Sequence, residues 1–150
     1  PYRLDQQIKS VILTCEPQWR DKSLMLEVSL DETPIMADED LLNQVWMNLL
    51  HNAIKFTPPD GLIQLMLCTV GDEVIFRISD NGIGISKEDQ MRIFERFYKA
   101  DKSRTQAAGG NGLGLAIVSR ITNLHHGSIT LTSELGQGTT FTVTLPLRQE

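Results

Sequence analysis

Three polar side chains recur at helical spacing between residues 48 and 55. Asn48, Asn52 and Lys55 are separated by four and three positions, so an α-helix places them on one face. A helix face that meets only solvent usually carries Glu and Lys, whereas Asn is a poor helix former. Carboxamide oxygens suit Mg²⁺, which takes its other ligands from water and substrate phosphates. The stripe indicates a site for a hard cation and a phosphate, with a solvated face as the alternative.

A glycine-rich segment runs directly into an apolar helical pattern. Four glycines fall within residues 109–114, and helical periodicity continues from Leu113 to Leu124. Glycine amides at the start of a helix bind anions well, because the N–H groups and the helix dipole point at the ligand. The segment is not a Walker A loop, since no Gly-Lys-Ser/Thr follows, nor a dinucleotide fingerprint, since no strand directly precedes it. It predicts a phosphate-binding loop, and the alternative is a flexible connector.

A second glycine pair follows a predicted strand at residues 80–84. In a pocket, the Asp80 carboxylate is suited to accept a hydrogen bond from the exocyclic amine of adenine. Gly82 and Gly84 would let the backbone approach the ring closely. Asp-Asn-Gly is also a common turn, which stays open as the alternative.

A cationic segment lies between these two glycine-containing stretches. Phe94 and Phe97 are expected to anchor one end of a lid that covers about residues 99–112. Four cations in or just before this segment could reach a triphosphate, although a solvated surface charge is the favoured alternative for each one taken singly: Arg96, Lys99, Lys102 and Arg104.

The remaining periodicities predict an α+β fold with a mixed, mostly antiparallel sheet covered on one face by helices. The expected helices are 4–15, ended by Pro17, then 40–55 after an Asp38 N-cap, and 113–124 with Gly127 as C-cap. The expected strands are 24–30, 62–70, 73–79, 128–133 and 139–147, with a turn over 31–34 and a hairpin turn at Gly71-Asp72.

Composition narrows the function classes. The chain has 150 residues, 41% of them hydrophobic and a net charge of −5, which suits one globular domain and argues against a nucleic-acid binder. Cys15 and Cys68 lack metal-site spacing and are expected to be free thiols. No apolar run approaches the ~20 residues needed to cross a bilayer.

The segments described above resemble, in order, the motifs of sensor histidine kinases. Residues 48–58 (NLLHNAIKFTP) are similar to the N box, 80–84 (DNGIG) to the G1 box, 94–98 (FERFY) to the F box, 110–118 (GNGLGLAIV) to the G2 box and 136–141 (GQGTTF) to a GxGTxF segment. The resemblance implies the Bergerat ATP-binding fold of the GHKL superfamily, a two-layer α/β sandwich. Asn111 stands where many relatives carry Thr or Ser, and Lys99 where many carry Arg.

The same resemblance implies ATP and Mg²⁺ as ligands. Asn52 would be the principal Mg²⁺ ligand and Asn48 would assist it. Lys55 would meet the phosphates and Phe56 would lie against the adenine. Residues around the phosphates would be Arg96, Lys99, Gly110, Asn111, Gly112, Leu113, Gly114 and Leu115, and those at the adenine end Asp80, Gly82, Gly84 and Thr139.

The N box also separates a kinase from an ATPase. Related ATPases carry a Glu one helical turn before the magnesium-binding Asn, where it activates water. This chain has Asn48 there, and an amide cannot act as a general base. Phosphoryl transfer, which depends mainly on positioning and charge stabilisation, is therefore favoured over hydrolysis.

The resemblance also implies a phospho-acceptor His within a His-Glu/Asp-x-x-x-Pro helix on a dimerisation domain. His51, His125 and His126 lie in no such motif. We therefore expect residues 1–150, which begin at Pro1, to be the catalytic domain alone, with the acceptor and the general base on its own dimerisation domain and a response regulator downstream. The module is expected to be cytoplasmic, whether or not the parent protein is anchored to a membrane. The alternatives are a serine kinase of the anti-sigma type and a nucleotide-binding scaffold module.

Overall fold

The computed structural model describes residues 1–90, 93–94 and 114–148. The helices are α1 (Leu4–Thr14), α2 (Glu16–Asp21), α3 (Glu39–Phe56), α4 (Lys87–Gln90) and α5 (Gly114–Leu124). The strands are β1 (Tyr2–Arg3), β2 (Met25–Leu30), β3 (Pro34–Ile35), β4 (Leu62–Val70), β5 (Glu73–Asp80), β6 (Ser128–Glu134) and β7 (Gly138–Pro146). Within these ranges, no helix combines the length and the apolar character that a membrane span requires.

The main sheet has five strands in the order β2-β4-β5-β7-β6. Of the strand pairs in the described residues, only β2–β4 is parallel, and its connection contains α3, because a parallel pair needs a long crossover. The hairpins β4–β5 and β6–β7 and the pair β5–β7 are antiparallel. The ends of β5 and α3 therefore lie at the same edge of the domain, where Phe56 O accepts a hydrogen bond from Ile83 N–H.

One face of this sheet forms the core with the helices. Alternate residues of the three central strands are buried: Ile63, Leu65, Leu67, Val74, Phe76, Ile78, Phe141, Val143 and Leu145. The apolar side of α3 packs on them, with the rings of Trp46 and Phe76 at 4.8 Å between centroids. The threonines that alternate with the buried residues of β7 lie on the other face. The predicted α+β sandwich with a mixed, mostly antiparallel sheet is confirmed.

Two short elements near the N-terminus were not predicted. The first helix ends at Thr14, close to the predicted end, but Pro17 then lies in the first turn of a further helix, α2, where a missing N–H costs nothing. The predicted turn over residues 31–34 extends one residue too far, because Pro34 begins β3, which pairs with β1 in a separate two-stranded sheet. Both α2 and β3 are too short for hydrophobic periodicity to reveal.

The end of α5 differs by one residue from the prediction. His126, rather than Gly127, adopts the left-handed conformation, with φ of 62°. The Gly127 N–H donates to Thr122 O at 2.9 Å and the His126 N–H to Asn123 O at 3.0 Å, which is a Schellman ending. Gly127 is required for a different reason, because a Cβ there would lie 2.2 Å from Thr144 O.

Candidate functional site

The polar stripe predicted from the sequence lies on α3, between its buried face and solvent. The Asp38 side chain caps this helix, since Oδ1 accepts a hydrogen bond from Leu41 N–H at 3.0 Å. Asn48, Asn52 and Lys55 are each half-buried rather than fully exposed. Neighbouring parts of the protein therefore cover part of each of these three side chains.

The side chain of Asn48 has a defined orientation. Its Nδ2 donates to Gln44 O at 2.8 Å, which leaves Oδ1 on the side away from the helix backbone. A Cβ on Gly114, the first residue of α5, would lie 3.0 Å from this Oδ1. The start of α5 therefore lies against Asn48, with a carboxamide oxygen between the two helices.

These residues fit a magnesium ion shared with a ligand. One N–H of the Asn48 amide is bonded to Gln44 O, and Oδ1 is the atom that lies towards Gly114, so the side chain offers an oxygen acceptor there. Asn52, one turn further along, makes no side-chain hydrogen bond to any residue that the structure describes. No group of three or more His, Cys, Asp or Glu suitable for a metal occurs in the described ranges. An all-protein cage is thus not built here, whereas two amide oxygens plus phosphates and waters match the chemistry of Mg²⁺.

Asp80 ends β5 on the other side of the site. Its Oδ1 accepts a hydrogen bond from Gly82 N–H at 2.9 Å. Burial raises the pKa of this carboxyl above its usual value, while hydrogen bonds from the backbone of Gly82 and Thr139 partly oppose that rise. Asp80 is therefore a half-buried carboxyl group held in place by backbone N–H donors. Such a fixed group can form a specific hydrogen bond with a polar atom of a ligand.

A network around Ser133 holds the same end of the site. The Ser133 hydroxyl donates to Gly138 O at 2.9 Å and accepts from Ile85 N–H at 2.7 Å. Its second acceptor position receives the Thr139 hydroxyl, 2.9 Å away. Thr139 itself is directly opposite Asp80 in the β5–β7 register. Sequence analysis did not identify Ser133, because a lone Ser in a strand gives no signal.

The glycines after Asp80 are required for backbone packing. A Cβ on Gly82 would lie 2.2 Å from Phe56 O, and one on Gly84 would lie 2.1 Å from Glu134 O. The approach of a ligand ring to these glycines stays a prediction. The structure shows that each glycine also allows the loop after Asp80 to lie against another part of the protein backbone.

We expect Gly84→Ala to destabilise the fold by about 3 kcal/mol, because Gly84 combines a φ of 75° with a collision against backbone. Gly136→Ala is the matched control. Gly136 has a φ of 82° with nothing within 4 Å of a new Cβ, so only the conformational cost of about 1 kcal/mol applies. Urea unfolding measures both, and equal losses would contradict the packing role of Gly84.

The described site residues form one elongated surface. At one end, Gly114 lies against Asn48. At the other, Phe56 O accepts from Ile83 N–H at 3.4 Å, and the Lys55 Nζ is 5.9 Å from the centroid of the Phe56 ring. Phe56 follows Asn48 by eight positions, a rise of about 12 Å along the helix. A ligand along α3 would thus have one end near Asp80 and the other near the start of α5.

The structure brings together most, but not all, of the predicted site residues. Leu115 lies in the first turn of α5 and packs on the core. Phe94 contacts the core through an edge-to-face pair with Phe141, 6.2 Å between centroids. The whole of the predicted lid, residues 99–112, lies outside the described ranges. Six predicted site residues also lie there: Arg96, Lys99, Gly110, Asn111, Gly112 and Leu113.

Comparison of the sequence with known proteins identifies its family and its relatives. A family model described as "Histidine kinase-, DNA gyrase B-, and HSP90-like ATPase" matches residues 37–149. The circadian input-output histidine kinase CikA of Synechococcus elongatus is 39% identical over 150 residues, which cover 97% of this chain and 20% of CikA. The chain spans between a fifth and a third of the length of curated relatives such as this one.

Solved structures of histidine kinases share the fold. Full-length ShkA in complex with AMPPNP superposes with a TM-score of 0.83 at 30% identity, over all of this chain and 31% of ShkA. The catalytic domain of ThkA gives a TM-score of 0.86 at 25% identity, over 98% of this chain and 94% of that one. ThkA in complex with the response regulator protein TrrA gives 0.80 at 25% identity, over 97% of this chain and 41% of that one.

Proposed function

The chain belongs to the family of histidine kinase-, DNA gyrase B- and HSP90-like ATPases, as a catalytic domain of the sensor histidine kinase type, and we propose that it binds ATP with Mg²⁺ and transfers the γ-phosphoryl group to a histidine on a separate dimerisation domain. One observation carries the proposal. The amides of Asn48 and Asn52 lie on α3 between the start of α5 and the Asp80 loop. That arrangement offers amide oxygens at one end and a fixed carboxylate at the other.

The adenine belongs at the Asp80 end. A carboxylate whose Oδ1 is already held by Gly82 N–H keeps further lone pairs for the exocyclic amine of adenine. Phe56 is half-buried beside this loop and offers a ring for the base to lie against. The Asp80 end thus recognises the base, and Thr139 opposite it helps to hold the carboxylate in place.

The phosphates belong at the Asn48 end. Mg²⁺ bound there would neutralise phosphate charge and orient the triphosphate, and Asn52 and Asn48 would hold it through their Oδ1 atoms. Lys55 adds a positive charge on the same face of α3. The N-terminus of α5 meets Asn48, so the helix dipole adds to the attraction for an anion. The predicted lid over about residues 99–112 would supply the remaining cations and amides.

The reaction is a displacement at the γ-phosphorus. A ring nitrogen of the acceptor histidine forms the new P–N bond, and the bond between the γ-phosphorus and the bridging oxygen of ADP breaks. ADP leaves with that electron pair, and the imidazole proton passes to a base on the dimerisation domain. This chain contributes orientation and charge stabilisation, which are the main requirements of phosphoryl transfer.

Hydrolysis is disfavoured because no base stands in the position where the related ATPases activate water. Asn48 occupies that turn, and its amide nitrogen is bonded to Gln44 O. His125 does not replace the acceptor, because both of its ring nitrogens lie at hydrogen-bond distance from backbone groups, Nε2 from Asp38 N–H at 3.2 Å and Nδ1 from Ile121 O at 2.9 Å. A response regulator is the proposed downstream partner, and the complex of ThkA with the response regulator protein TrrA supports that proposal.

We expect this chain, mixed with the dimerisation domain of its parent protein and γ-labelled ATP, to label that domain with an acid-labile, alkali-stable phosphate. Phosphohistidine has this stability, whereas phosphoserine is stable to acid. The control replaces the acceptor His by Gln in the dimerisation domain. An acid-stable product would favour a serine kinase of the anti-sigma type, and failure of the chain to bind any adenine nucleotide in calorimetry would leave a scaffold role.

A further inference from the structure

The C-terminal end of α3 is capped without glycine. The final four carbonyls of a helix lack partners within the helix, and each needs a donor from elsewhere. Here Ala53 O accepts from the Thr57 hydroxyl at 2.6 Å, and Phe56 O from Ile83 N–H at 3.4 Å. The two carbonyls between them, of Ile54 and Lys55, both accept from one side chain.

That side chain is Lys22, which comes from the connection between α2 and β2. Its Nζ donates to Ile54 O at 2.7 Å, to Lys55 O at 3.2 Å and to Thr57 O at 2.8 Å. An ammonium has three N–H donors, and these three bonds use all of them. Its positive charge also lies at the negative end of the helix dipole.

The backbone of Lys22 adds a further link to the same region. Its carbonyl accepts a hydrogen bond from Asp60 N–H at 2.9 Å, where Asp60 has a left-handed φ of 66°. Met25 N–H, a few residues on, donates to Gly61 O at 2.9 Å. The whole turn after α3 is therefore attached to the segment around Lys22.

We propose that Lys22 is a positioning residue for the nucleotide site. The turn of α3 that it caps carries Lys55 and Phe56, and the carbonyl of Phe56 holds the Asp80–Gly84 loop through Ile83. Loss of the ammonium leaves three carbonyls without their cation and loosens this turn. Lys55, on the phosphate side of the site, and the Asp80–Gly84 loop, on the adenine side, are then no longer held in place by this turn. This inference rests on the proposed nucleotide-binding function.

The test compares three substitutions of Lys22 with a control in the 150-residue chain. Lys22→Met keeps the length of the side chain and removes the donors, Lys22→Gln restores a neutral donor, and Lys22→Arg restores a cation with several donors. Lys9→Met is the control, because Lys9 is exposed on α1. Calorimetric titration with Mg·ATP gives the dissociation constant and the stoichiometry, and thermal unfolding gives the Tm.

We expect Lys22→Met to raise the dissociation constant about tenfold while the folded protein still binds one nucleotide per chain. Lys22→Arg should recover most of the affinity, Lys22→Gln should fall between the two, and Lys9→Met should match the wild type. If Lys22→Met does not fold, the dissociation constants of Lys22→Gln and Lys22→Arg are compared with that of the wild type instead, and Lys22→Gln should show the larger increase.

Two results overturn the proposal, and they differ from failure of the proposed function. An unchanged dissociation constant together with a lower Tm or a lower binding stoichiometry would show that Lys22 supports only the fold. Equal affinities of the Lys22→Gln, Lys22→Arg and wild-type proteins for Mg·ATP would also show that Lys22 supports only the fold. If the wild type binds no adenine nucleotide at all, the nucleotide-binding function fails first, and the role of Lys22 fails with it.

Discussion

Asn52→Ala should remove most of the Mg²⁺-dependent part of ATP binding, raising the dissociation constant in Mg²⁺ about 100-fold. Asn52 lies at the centre of the half-buried polar stripe of α3, and its amide makes no side-chain hydrogen bond to the described residues. Its oxygen is therefore available to the metal, and alanine removes it without disturbing an internal network. Alanine is also a better helix former than asparagine, so α3 itself should not be weakened.

Titrations with and without Mg²⁺ distinguish metal ligation from other effects. In EDTA, we expect Asn52→Ala and the wild type to bind ATP with equal, weak affinity. Asn43→Ala serves as the control, because Asn43 lies on the exposed face of the same helix. An equal loss of affinity in Mg²⁺ and in EDTA would contradict the ligand role and would indicate a direct contact with the nucleotide.

Asp80→Asn should also weaken ATP binding about 100-fold, because it reverses the polarity of one hydrogen bond. Asn keeps the shape of Asp, and its oxygen can still accept from Gly82 N–H, as Oδ1 of Asp80 does. Its amino group then faces the amine of adenine, so two donors meet. The guanine base carries a carbonyl at the corresponding position, so binding of GTP should suffer less or improve.

The ratio of ATP to GTP affinity therefore checks the role of Asp80. Asp72→Asn is the matched control, since Asp72 is exposed in the β4–β5 turn. Equal losses for ATP and GTP would contradict recognition of the base by Asp80. A loss that appears only as reduced stoichiometry would instead indicate misfolding.

The unliganded Asp80→Asn protein should be at least as stable as the wild type near neutral pH. Burial raises the pKa of Asp80, so the folded protein holds this proton more tightly than the unfolded chain does. The protonated Asp80 carboxyl therefore stabilises the fold at pH values below the pKa of Asp in the unfolded chain, and this stabilisation is lost as the pH rises through the higher pKa of the folded protein. At still higher pH the buried, ionised carboxylate lowers the free energy of unfolding, and asparagine removes that cost. The site thus keeps a carboxylate that the fold alone would not favour.

Regular segments were predictable because their signals are local. The apolar stripe of α3 repeats over 18 residues, and the Gly71-Asp72 turn joins two alternating strands. Hydrophobic periodicity reports burial directly, since only one face of such an element can enter the core. The same spacing put Asn48, Asn52 and Lys55 on one face, and the structure finds all three half-buried.

Short and irregular features were not predictable in this way. The strand β3 has two residues and exists only because β1 pairs with it. At the end of α5, the left-handed position fell on His126, although glycine is the usual residue there, because Gly127 is needed where the chain passes Thr144. The preference of glycine for the left-handed position predicted the wrong residue, because the close contact of Gly127 with Thr144 had the larger effect.

The sequence by itself determined the fold class, the helix that carries the polar stripe and the order of the motifs, because each depends on residues close together in the chain. Only the tertiary structure decided what supports the site. Lys22 meets the carbonyls of α3 across more than thirty residues, and Ser133 meets Ile85 across 48. Hydrogen bonds between distant segments leave no periodic pattern, since one donor and one acceptor are enough to form each of them.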